Sequence, residues 1–396
     1  MATDGVVRRY YLYRATATVG FVTPVFTVFL LRDLSFAELG SLSALYSALV
    51  VLGEVPTGYV GDVLGRRNSL VLAAVFKAAS LVGFVVAESY PAYVLLYVLW
   101  AAGLTFDSGS LSAWLYETLE ERLDATVFTR VRGRGESING WVGAVTMVAG
   151  GLLYTLDPRY PFALATAWVL LGVPVLLTLP EPGAAGDRRA SLRTVAGMAR
   201  DALLSPPLRA LVLYTAVAFG AVSAAQLYVQ PIAVDVLSGV ALPGDLPPAA
   251  SLGLLYAGFT AVAAFASYHA ATVEDALGRA RAIALLPLGV AAVMVVPLAL
   301  PLLAFPAFFV MRAADPLLRP ISQAVINDEL GTAGRATVVS GVSMVYGLVR
   351  APLALGGGFL ADATSALAAL AGFGVVVLVV GTAIALVESP TGWLET

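Results

Sequence analysis

The chain has no cysteine and a single histidine, His269, among its 396 residues. Without cysteine it forms no disulfide, thiolate metal site or cysteine nucleophile. One histidine does not make a metal cluster, so we predict neither a bound metal nor a cofactor. The only lysine, Lys77, stands in "VFKAAS" and not in a phosphate-binding loop, and no Gly-x-Ser-x-Gly elbow is found. We therefore expect no enzyme activity.

Charge of either sign is also scarce. Charged residues make up 12% of the chain, about half the share in soluble domains. Hydrophobic residues make up 59%, and the mean hydropathy is +0.86. This composition is typical of an integral membrane protein. We expect the lipid bilayer as its surroundings and no nucleic acid partner.

Long apolar runs separated by polar turns predict twelve membrane-spanning helices. They cover 10–31, 36–60, 69–87, 91–117, 137–156, 160–180, 208–234, 250–270, 280–299, 301–326, 338–361 and 364–387. A long polar stretch divides six spans from six, which predicts an N-terminal bundle (1–180), a cytoplasmic loop (181–207) and a C-terminal bundle (208–396). Within the loop, "SLRTVAGMARDALL" predicts a short amphipathic surface helix.

The basic residues of the predicted loops indicate the orientation in the membrane. Sixteen lie on the side of the N-terminus, whereas only Arg32 and Arg159 lie on the other side. Because short cytoplasmic loops carry an excess of basic residues, both termini and the 181–207 loop are predicted to be cytoplasmic. We expect a multi-pass protein of the cytoplasmic membrane.

The two halves of the chain repeat the same features. "DVLGRR" at Asp62–Arg67 returns as "DALGRAR" at Asp275–Arg281. Pro24 and Pro231 are predicted to interrupt equivalent helices, and Gly150-Gly151 correspond to Gly356-Gly357-Gly358. Offsets of 206 to 213 residues relate all three pairs. A duplicated six-helix unit with these offsets is typical of secondary transporters.

The stretch "GYVGDVLGRR", Gly58–Arg67, resembles the signature G-x-x-x-D-x-x-G-R-R/K between helices 2 and 3 of the major facilitator superfamily. With the twelve spans and the second copy, the resemblance covers essentially the whole chain. It implies an all-α fold of two pseudo-symmetric six-helix bundles that transports solutes by alternating access. In that family the motif acts as a cytoplasmic latch of the outward-facing state.

The resemblance assigns a gating role to residues at both copies of the motif and at a neighbouring helix end. Gly58 is expected to let helices approach, Gly65 to permit the tight turn, and Asp62 to face a helix N-terminus. The arginines are expected to pair with a carboxylate at the end of the fourth span, where Glu117, Glu120 and Glu121 stand. The gating candidates are Gly58, Asp62, Gly65, Arg66, Arg67, Glu117, Asp275, Gly278 and Arg279.

The signatures of proton-coupled drug antiporters are incomplete. In "LTFDSGS", Thr105 stands where the arginine of R-x-x-Q-G would fall, and Thr146-Met147 replace Gly-Pro of the fifth-helix signature. The subfamily is therefore not assigned by motif, although we favour export over uptake.

Eight ionisable residues lie well inside the predicted spans: Arg14, Glu54, Lys77, Asp107, Arg312, Asp315, Arg319 and Arg350. At roughly 3 kcal/mol each at a helix centre, they must mostly face the bundle interior or water. Helical spacing groups several into polar stripes on the first, fourth, seventh and tenth spans, which line the central cavity in the family. The cavity candidates are Arg14, Trp100, Asp107, Trp114, Gln226, Gln230, Arg312, Asp315, Arg319 and Arg350.

Two of these residues, Asp107 and Asp315, are candidates for proton coupling, because a partly buried carboxylate near the midplane can take up and release a proton. A permanent salt bridge with Arg312 and Arg319 is the alternative for Asp315. Arg14 and Lys77 are alternatively interfacial residues that reach toward the cytoplasm. The excess of positive charge in the spans favours an anionic or zwitterionic solute.

The leading hypothesis is a monomeric secondary active transporter of a small organic solute, coupled to a proton or another ion. Uptake of an anionic or zwitterionic metabolite is the alternative within the same class. A non-transporting sensor or assembly factor on the same fold is the alternative of another class.

Overall fold

The computed structural model describes residues 2–122, 125–183, 197, 200, 206–239, 247–329 and 335–387, and these contain helices but no β-strand. The α-helices are α1 (Ala2–Thr16), α2 (Phe26–Leu30), α3 (Phe36–Leu64), α4 (Arg66–Val86), α5 (Tyr90–Arg122), α6 (Phe128–Leu156), α7 (Tyr160–Leu177), α8 (Pro206–Ser238), α9 (Pro248–Tyr268), α10 (Ala270–Leu277), α11 (Arg279–Val295), α12 (Ala304–Glu329), α13 (Arg335–Ala363), α14 (Ala366–Val376) and α15 (Thr382–Val387). Of the surface helix predicted within 191–204, the structure describes only Gly197 and Arg200, both of which are helical; the rest of it lies outside the described residues.

These helices form the twelve predicted crossings. The first consists of α1 and α2, and the last consists of α14, the π-helical segment Val377–Gly381 and α15. Ten helices in the described part of the chain are long and apolar enough to cross a membrane. The first crossing falls short of this measure because it is broken, and α6 does so because glycines and Asn139 dilute its apolar side chains. The predicted all-α fold of twelve spans is confirmed.

The break in the first crossing lies where Pro24 predicted it. Residues 17–25 lie outside both helices, and those from Gly20 on form turns. Pro24 disfavours helix in this last part, because proline lacks an N–H group and its ring collides with the preceding turn of a helix. Gly150 of α6 faces this segment so closely that a Cβ atom there would collide with the Phe21 carbonyl oxygen. The corresponding prediction for Pro231 is wrong, because α8 continues through it. Membrane helices accommodate such a proline when neighbouring groups satisfy the freed carbonyl.

Two boundaries differ from the prediction. The fifth crossing begins at Phe128 instead of 137, so Arg130, Arg132, Arg134 and Glu136 lie on helix α6 and not in a loop. The apolar pattern does not predict this first part of α6, because its charged residues lie before the apolar part of the span. The predicted loop between the eighth and ninth spans contains the short helix α10.

The chain forms two compact units. The first contains the described residues of Met1–Asp33, Leu49–Arg189 and Gly244–Ala257, and the second contains Leu34–Ala48 with the described residues of 190–243 and 258–396. Each unit thus takes a short segment from the other half of the sequence. Glycines permit close contacts of both segments with their units. Gly40 lies against the Ala354 carbonyl within the second unit, and Gly253 lies against the Met147 carbonyl within the first.

Each unit has its own buried core. In the first unit, aromatic rings pack around Phe84 and Phe162, whose centroids are 5.6 Å apart. In the second unit, aliphatic side chains of α8, α11, α12 and α13 surround Tyr214, which donates a hydrogen bond to the Ala284 carbonyl oxygen. These cores position the polar side chains described next.

Candidate functional site

The interior of the first unit holds a polar cluster around Asp107 of α5. The Lys77 Nζ of α4 lies 2.8 Å from Asp107 Oδ2, and the Tyr13 hydroxyl of α1 donates to Oδ1 at 3.3 Å. The Lys77 and Asp107 side chains are only 16% and 17% exposed. The predicted cavity residue Asp107 therefore joins three crossings of the first unit.

Gly103 makes room for this ion pair. It lies one turn before Asp107 in α5, and a Cβ atom there would lie 2.8 Å from Lys77 Cγ. A larger side chain would displace the lysine stem, so the glycine permits the close approach of α4 and α5 at this level. The Lys77 ammonium group is directed at Asp107, and whether it lies near the cytoplasmic interface stays a prediction.

Arg14 forms a second ion pair in the first unit. Its Nη2 atom lies 2.6 Å from Glu136 Oε2 of α6, and its side chain is 9% exposed. Asn139 of the same helix donates to the Arg14 carbonyl oxygen at 2.9 Å. The Arg14 side chain is thus buried against α6, and its depth in the membrane stays a prediction.

The tryptophans among the predicted cavity residues pack against protein groups. Trp114 is fully buried, stacks on Tyr10 with centroids 6.1 Å apart, and donates to the Pro180 carbonyl oxygen at 2.8 Å. Trp100 lies beside Phe26 and Phe84. In this conformation the contacts of both rings are with protein groups.

In the second unit, Asp315 and Arg319 form an ion pair within α12, with 2.5 Å between Arg319 Nη2 and Asp315 Oδ1. The contact with Arg319 is part of the salt bridge predicted as the alternative for Asp315. The guanidinium carbon of Arg319 also lies 5.3 Å from the Phe219 ring centroid. Both charged side chains are nearly half exposed.

A small cleft lies beside this pair. Its lining combines aromatic, polar and aliphatic side chains from α8, α12 and α13: Phe219, Arg319, Ser322, Gln323, Ile326, Val342, Ser343 and Tyr346. Ser322 Oγ is buried there and has no hydrogen-bond partner among the described residues.

The remaining cavity candidates lie on α8, α12 and α13. The Arg312 guanidinium stands 5.4 Å from the centroid of the Phe259 ring, a cation–π contact. Arg350 donates to hydroxyls of Ser43, Ser47 and Ser223. Gln230 is buried, and Gln226 Oε1 is a buried acceptor without a hydrogen-bond partner in the described part of the chain.

The first copy of the motif forms a tight turn between α3 and α4. Gly65 has φ +89°, a conformation that favours glycine, and a Cβ atom there would lie 2.6 Å from Glu181 Oε1. Arg66 pairs with Glu117 at the end of α5, with 3.5 Å between Nε and Oε1. Arg67 pairs with Glu181 at 3.6 Å, a partner that the sequence did not indicate.

The second copy repeats this geometry in the second unit. Gly278 has φ +77°, and Arg279 pairs with Asp328 at the end of α12 at 2.7 Å. The two pairs Arg66–Glu117 and Arg279–Asp328 are therefore equivalent by sequence position. Arg279 also pairs with Glu274, whereas Asp275 is exposed.

The two remaining gating candidates are Gly58 and Asp62 of α3. A Cβ atom at Gly58 would meet no atom within 4 Å among the described residues, so the expected close helix approach is absent there. The Asp62 side chain lies outside the described part, although its backbone belongs to α3. Among the described residues there is also no group of three or more His, Asp or Glu side chains that could hold a metal ion.

The sequence does not predict several partners in these contacts. It indicates that Lys77 is a buried charge, but not that Lys77 pairs with Asp107. It places Glu136 in a loop, and it places Ser43 and Ser47 in an apolar run without a polar role. Serines four residues apart on one helical face were the available signal for the last two.

A family model of the Major Facilitator Superfamily matches residues 15–244. Two proteins of Bacillus subtilis (strain 168) are similar in sequence. YxaM, an uncharacterized MFS-type transporter, is 23% identical over 154 residues, which is 39% of this chain and 38% of YxaM. YhjO, also an uncharacterized MFS-type transporter, is 30% identical over 125 residues, which is 31% of this chain and 30% of YhjO. The chain thus matches less than two fifths of the length of either relative.

Solved structures show the same fold over nearly the full length. A mutant form of the nucleoside transporter NupG has a TM-score of 0.81 at 12% identity, over 96% of this chain and 99% of that one. A D-xylose-proton symporter has a TM-score of 0.61 at 17% identity, over 96% and 94% of the two chains. At these identities the likeness is one of fold.

Proposed function

The chain belongs to the Major Facilitator Superfamily, and from that premise we propose that it is a proton-coupled secondary active transporter. It carries a small organic solute across the cytoplasmic membrane, with both termini in the cytoplasm. Asp107 is the proton-binding group, and Arg312, Arg319 and Arg350 provide the positive charge that meets the solute. The protein works as a monomer made of the two predicted six-helix bundles.

The observation that carries this proposal is the position of Asp107, whose carboxylate contacts both Lys77 and Tyr13. A proton that reaches Asp107 neutralises the carboxylate and removes its ion pair with Lys77. Because these residues stand on α5 and α4, protonation loosens a link between two crossings. Loss of the proton restores the link, so the protonation state is tied to how α4 and α5 pack.

The motif turns supply the proposed gating elements at the cytoplasmic face. Arg66–Glu117 ties the start of α4 to the end of α5, and Arg279–Asp328 ties the start of α11 to the end of α12. Each pair is partly exposed, where single ion pairs contribute little to stability. Such pairs can break and re-form during a transport cycle at small energetic cost.

Reconstitution into proteoliposomes with an imposed proton gradient tests the coupling. Asp107→Asn keeps the size of the side chain but cannot bind or release a proton. We expect gradient-driven flux of a transported solute to fall to the level of protein-free liposomes, while solute exchange without a gradient persists. Asp157→Asn, in the turn after α6, is the matched control and should leave both unchanged.

Two outcomes would contradict the proposal. Unchanged driven flux in Asp107→Asn would remove Asp107 from coupling. The absence of gradient-dependent flux for a panel of anions, zwitterions, cations and neutral solutes, together with a co-purifying partner protein, would favour the sensor or assembly factor. The direction follows from the same assay: solute moving against an inward proton flow defines export, which we propose, and solute moving with it defines uptake.

A further inference from the structure

The Arg350 guanidinium of α13 donates hydrogen bonds to serines of α3 and α8 within the second unit. Its Nε atom donates to Ser223 Oγ of α8 at 2.9 Å, and its Nη2 atom donates to Ser43 Oγ of α3 at 2.8 Å. Its Nη1 atom donates to the Ser43 carbonyl oxygen at 3.3 Å and also to Ser47 Oγ. Neutral hydroxyls thus occupy a guanidinium fork whose geometry matches a carboxylate.

Two of these helices, α3 and α13, also contact each other, and we call their contact the α3–α13 seam. It comprises residues 36–47 of α3 and 350–362 of α13. Asp362 accepts hydrogen bonds from the backbone N–H groups of Phe36 and Ala37 at 2.9 and 2.8 Å, at the N-terminus of α3. Polar contacts therefore lie at both ends of the seam, with Arg350 at one end and Asp362 at the other.

Between these ends the seam is held by backbone contacts at glycines. A Cβ atom at Gly40 would lie 2.5 Å from the Ala354 carbonyl oxygen, and one at Gly358 would collide with the Phe36 carbonyl oxygen. At Gly40 and Gly358 the contacts are with backbone atoms, so few side-chain contacts are lost there when the helices move apart. Opening of the seam at these contacts would release Arg350.

Gln226 adds an unused acceptor on the same side of α8 as Ser223. The two residues are three positions apart, so their side chains lie on neighbouring positions of one helical face. Gln226 Oε1 is buried and has no hydrogen-bond partner among the described residues. A buried acceptor left unsatisfied is costly, so a bound hydrogen-bond donor would be favoured there.

The charge of the second unit favours an anion at this place. Away from their ends, its spans carry Arg312, Arg319 and Arg350 against Asp315. In the first unit Arg14 and Lys77 each pair with an acid, and in the second unit Arg319 pairs with Asp315. An anionic group would exchange the hydroxyl bonds of Arg350 for charge-assisted bonds of about twice the strength.

We propose that Arg350, Ser223 and Gln226 bind a small carboxylate that also carries a hydroxyl or amino donor, and that Ser43 and Ser47 occupy Arg350 in its place while the α3–α13 seam is closed. The carboxylate accepts from Arg350, and the donor of the solute satisfies Gln226. This inference rests on the proposed transport function and names the solute class of that function.

Equilibrium binding to the purified protein in detergent, with no gradient, tests it independently of coupling at Asp107. The probes are two matched series: lactate, propionate and lactamide, and mandelate, phenylacetate and mandelamide. Within a series, the hydroxy acid should bind most tightly, the acid without hydroxyl more weakly, and the neutral amide not measurably. Calorimetry and ligand-induced thermal stabilisation provide two readouts.

Variants separate the roles. Ser43→Ala with Ser47→Ala should bind the hydroxy acid about tenfold more tightly, because the competing hydrogen bonds to Arg350 are lost. Arg350→Gln should abolish acid binding, and Arg350→Lys, which keeps the charge but loses the fork, should weaken it. Gln226→Leu should remove the preference for the hydroxy acid over the simple acid. Ser41→Ala, whose hydroxyl instead donates to the Glu38 carbonyl within α3, is the matched control and should bind like the parent protein.

Three results would overturn the inference. Equal binding of acid and amide would exclude an anion site at Arg350, and so would the absence of binding by both acid series. Weaker binding in the double serine variant would make Ser43 and Ser47 part of the solute site instead of its substitute. Gradient-driven flux of a neutral solute alongside any of these results would leave the proposed transport function intact.

Discussion

Asp107 and Asp315 occupy corresponding places in the fourth and tenth crossings, yet their surroundings differ. Asp107 meets a lysine from another helix and a tyrosine from a third, and it is 17% exposed. Asp315 meets an arginine one turn along its own helix and is 47% exposed. The duplicated fold thus places one carboxylate between helices and the other along a single helix.

Asp107 thus links two helices, whereas Asp315 pairs within one helix. An ion pair between α4 and α5 changes how the helices pack when it breaks, whereas an i,i+4 pair within α12 changes only a local contact. The partner matters too, since lysine is a compact charge on a flexible stem while arginine holds a fixed fork. Neutralising the carboxylate would therefore weaken a contact between α4 and α5 at Asp107, and a contact within α12 at Asp315.

The largest effect is expected from removing one partner of the buried pair. Lys77→Met leaves the Asp107 carboxylate in the interior without its lysine. Breaking a fully buried pair costs about 3–5 kcal/mol, and we expect about 2 kcal/mol here because both side chains keep some exposure. Thermal unfolding in detergent, followed by tryptophan fluorescence, measures the loss.

The double variant Lys77→Met with Asp107→Asn completes the cycle. It removes both charges, so most of the lost stability should return, which shows that the loss comes from the unpaired carboxylate. If the double variant were less stable than either single variant, the two side chains would contribute separately, and the linking role of the pair would be wrong.

A smaller effect is expected from changing the space around the pair while keeping its charges. Gly103→Ala places a methyl group against the Lys77 stem, so we expect the lysine to shift away from Asp107 and driven flux to fall about tenfold, which corresponds to about 1.4 kcal/mol. Gly109→Ala, in the same helix, meets no atom within 4 Å of the new Cβ and is the matched control. Equal flux in the two variants would show that the helix approach at Gly103 does not position Lys77.

The sequence predicted the crossings, the glycine turns at Gly65 and Gly278 and the arginine partner Glu117, because these follow from local composition and a repeated motif. It did not predict the Lys77–Asp107 pair. Helical periodicity gives the face on which a charge lies, but not the rotation of that face relative to a neighbouring helix. Pro24 and Pro231 show the same limit: one breaks its helix and the other does not, because packing decides what local chemistry only permits.

The smallest effect is expected at Asp315. Asp315→Asn removes an exposed pair within one helix, so stability should change by less than about 0.5 kcal/mol. Gradient-driven flux should stay proportional to exchange without a gradient, because the ion pair of this carboxylate lies within one helix. Measuring both fluxes in the same proteoliposomes tests the comparison directly. A loss of driven flux with exchange preserved would place proton coupling at Asp315 as well, and the two carboxylates would then differ in surroundings but not in role.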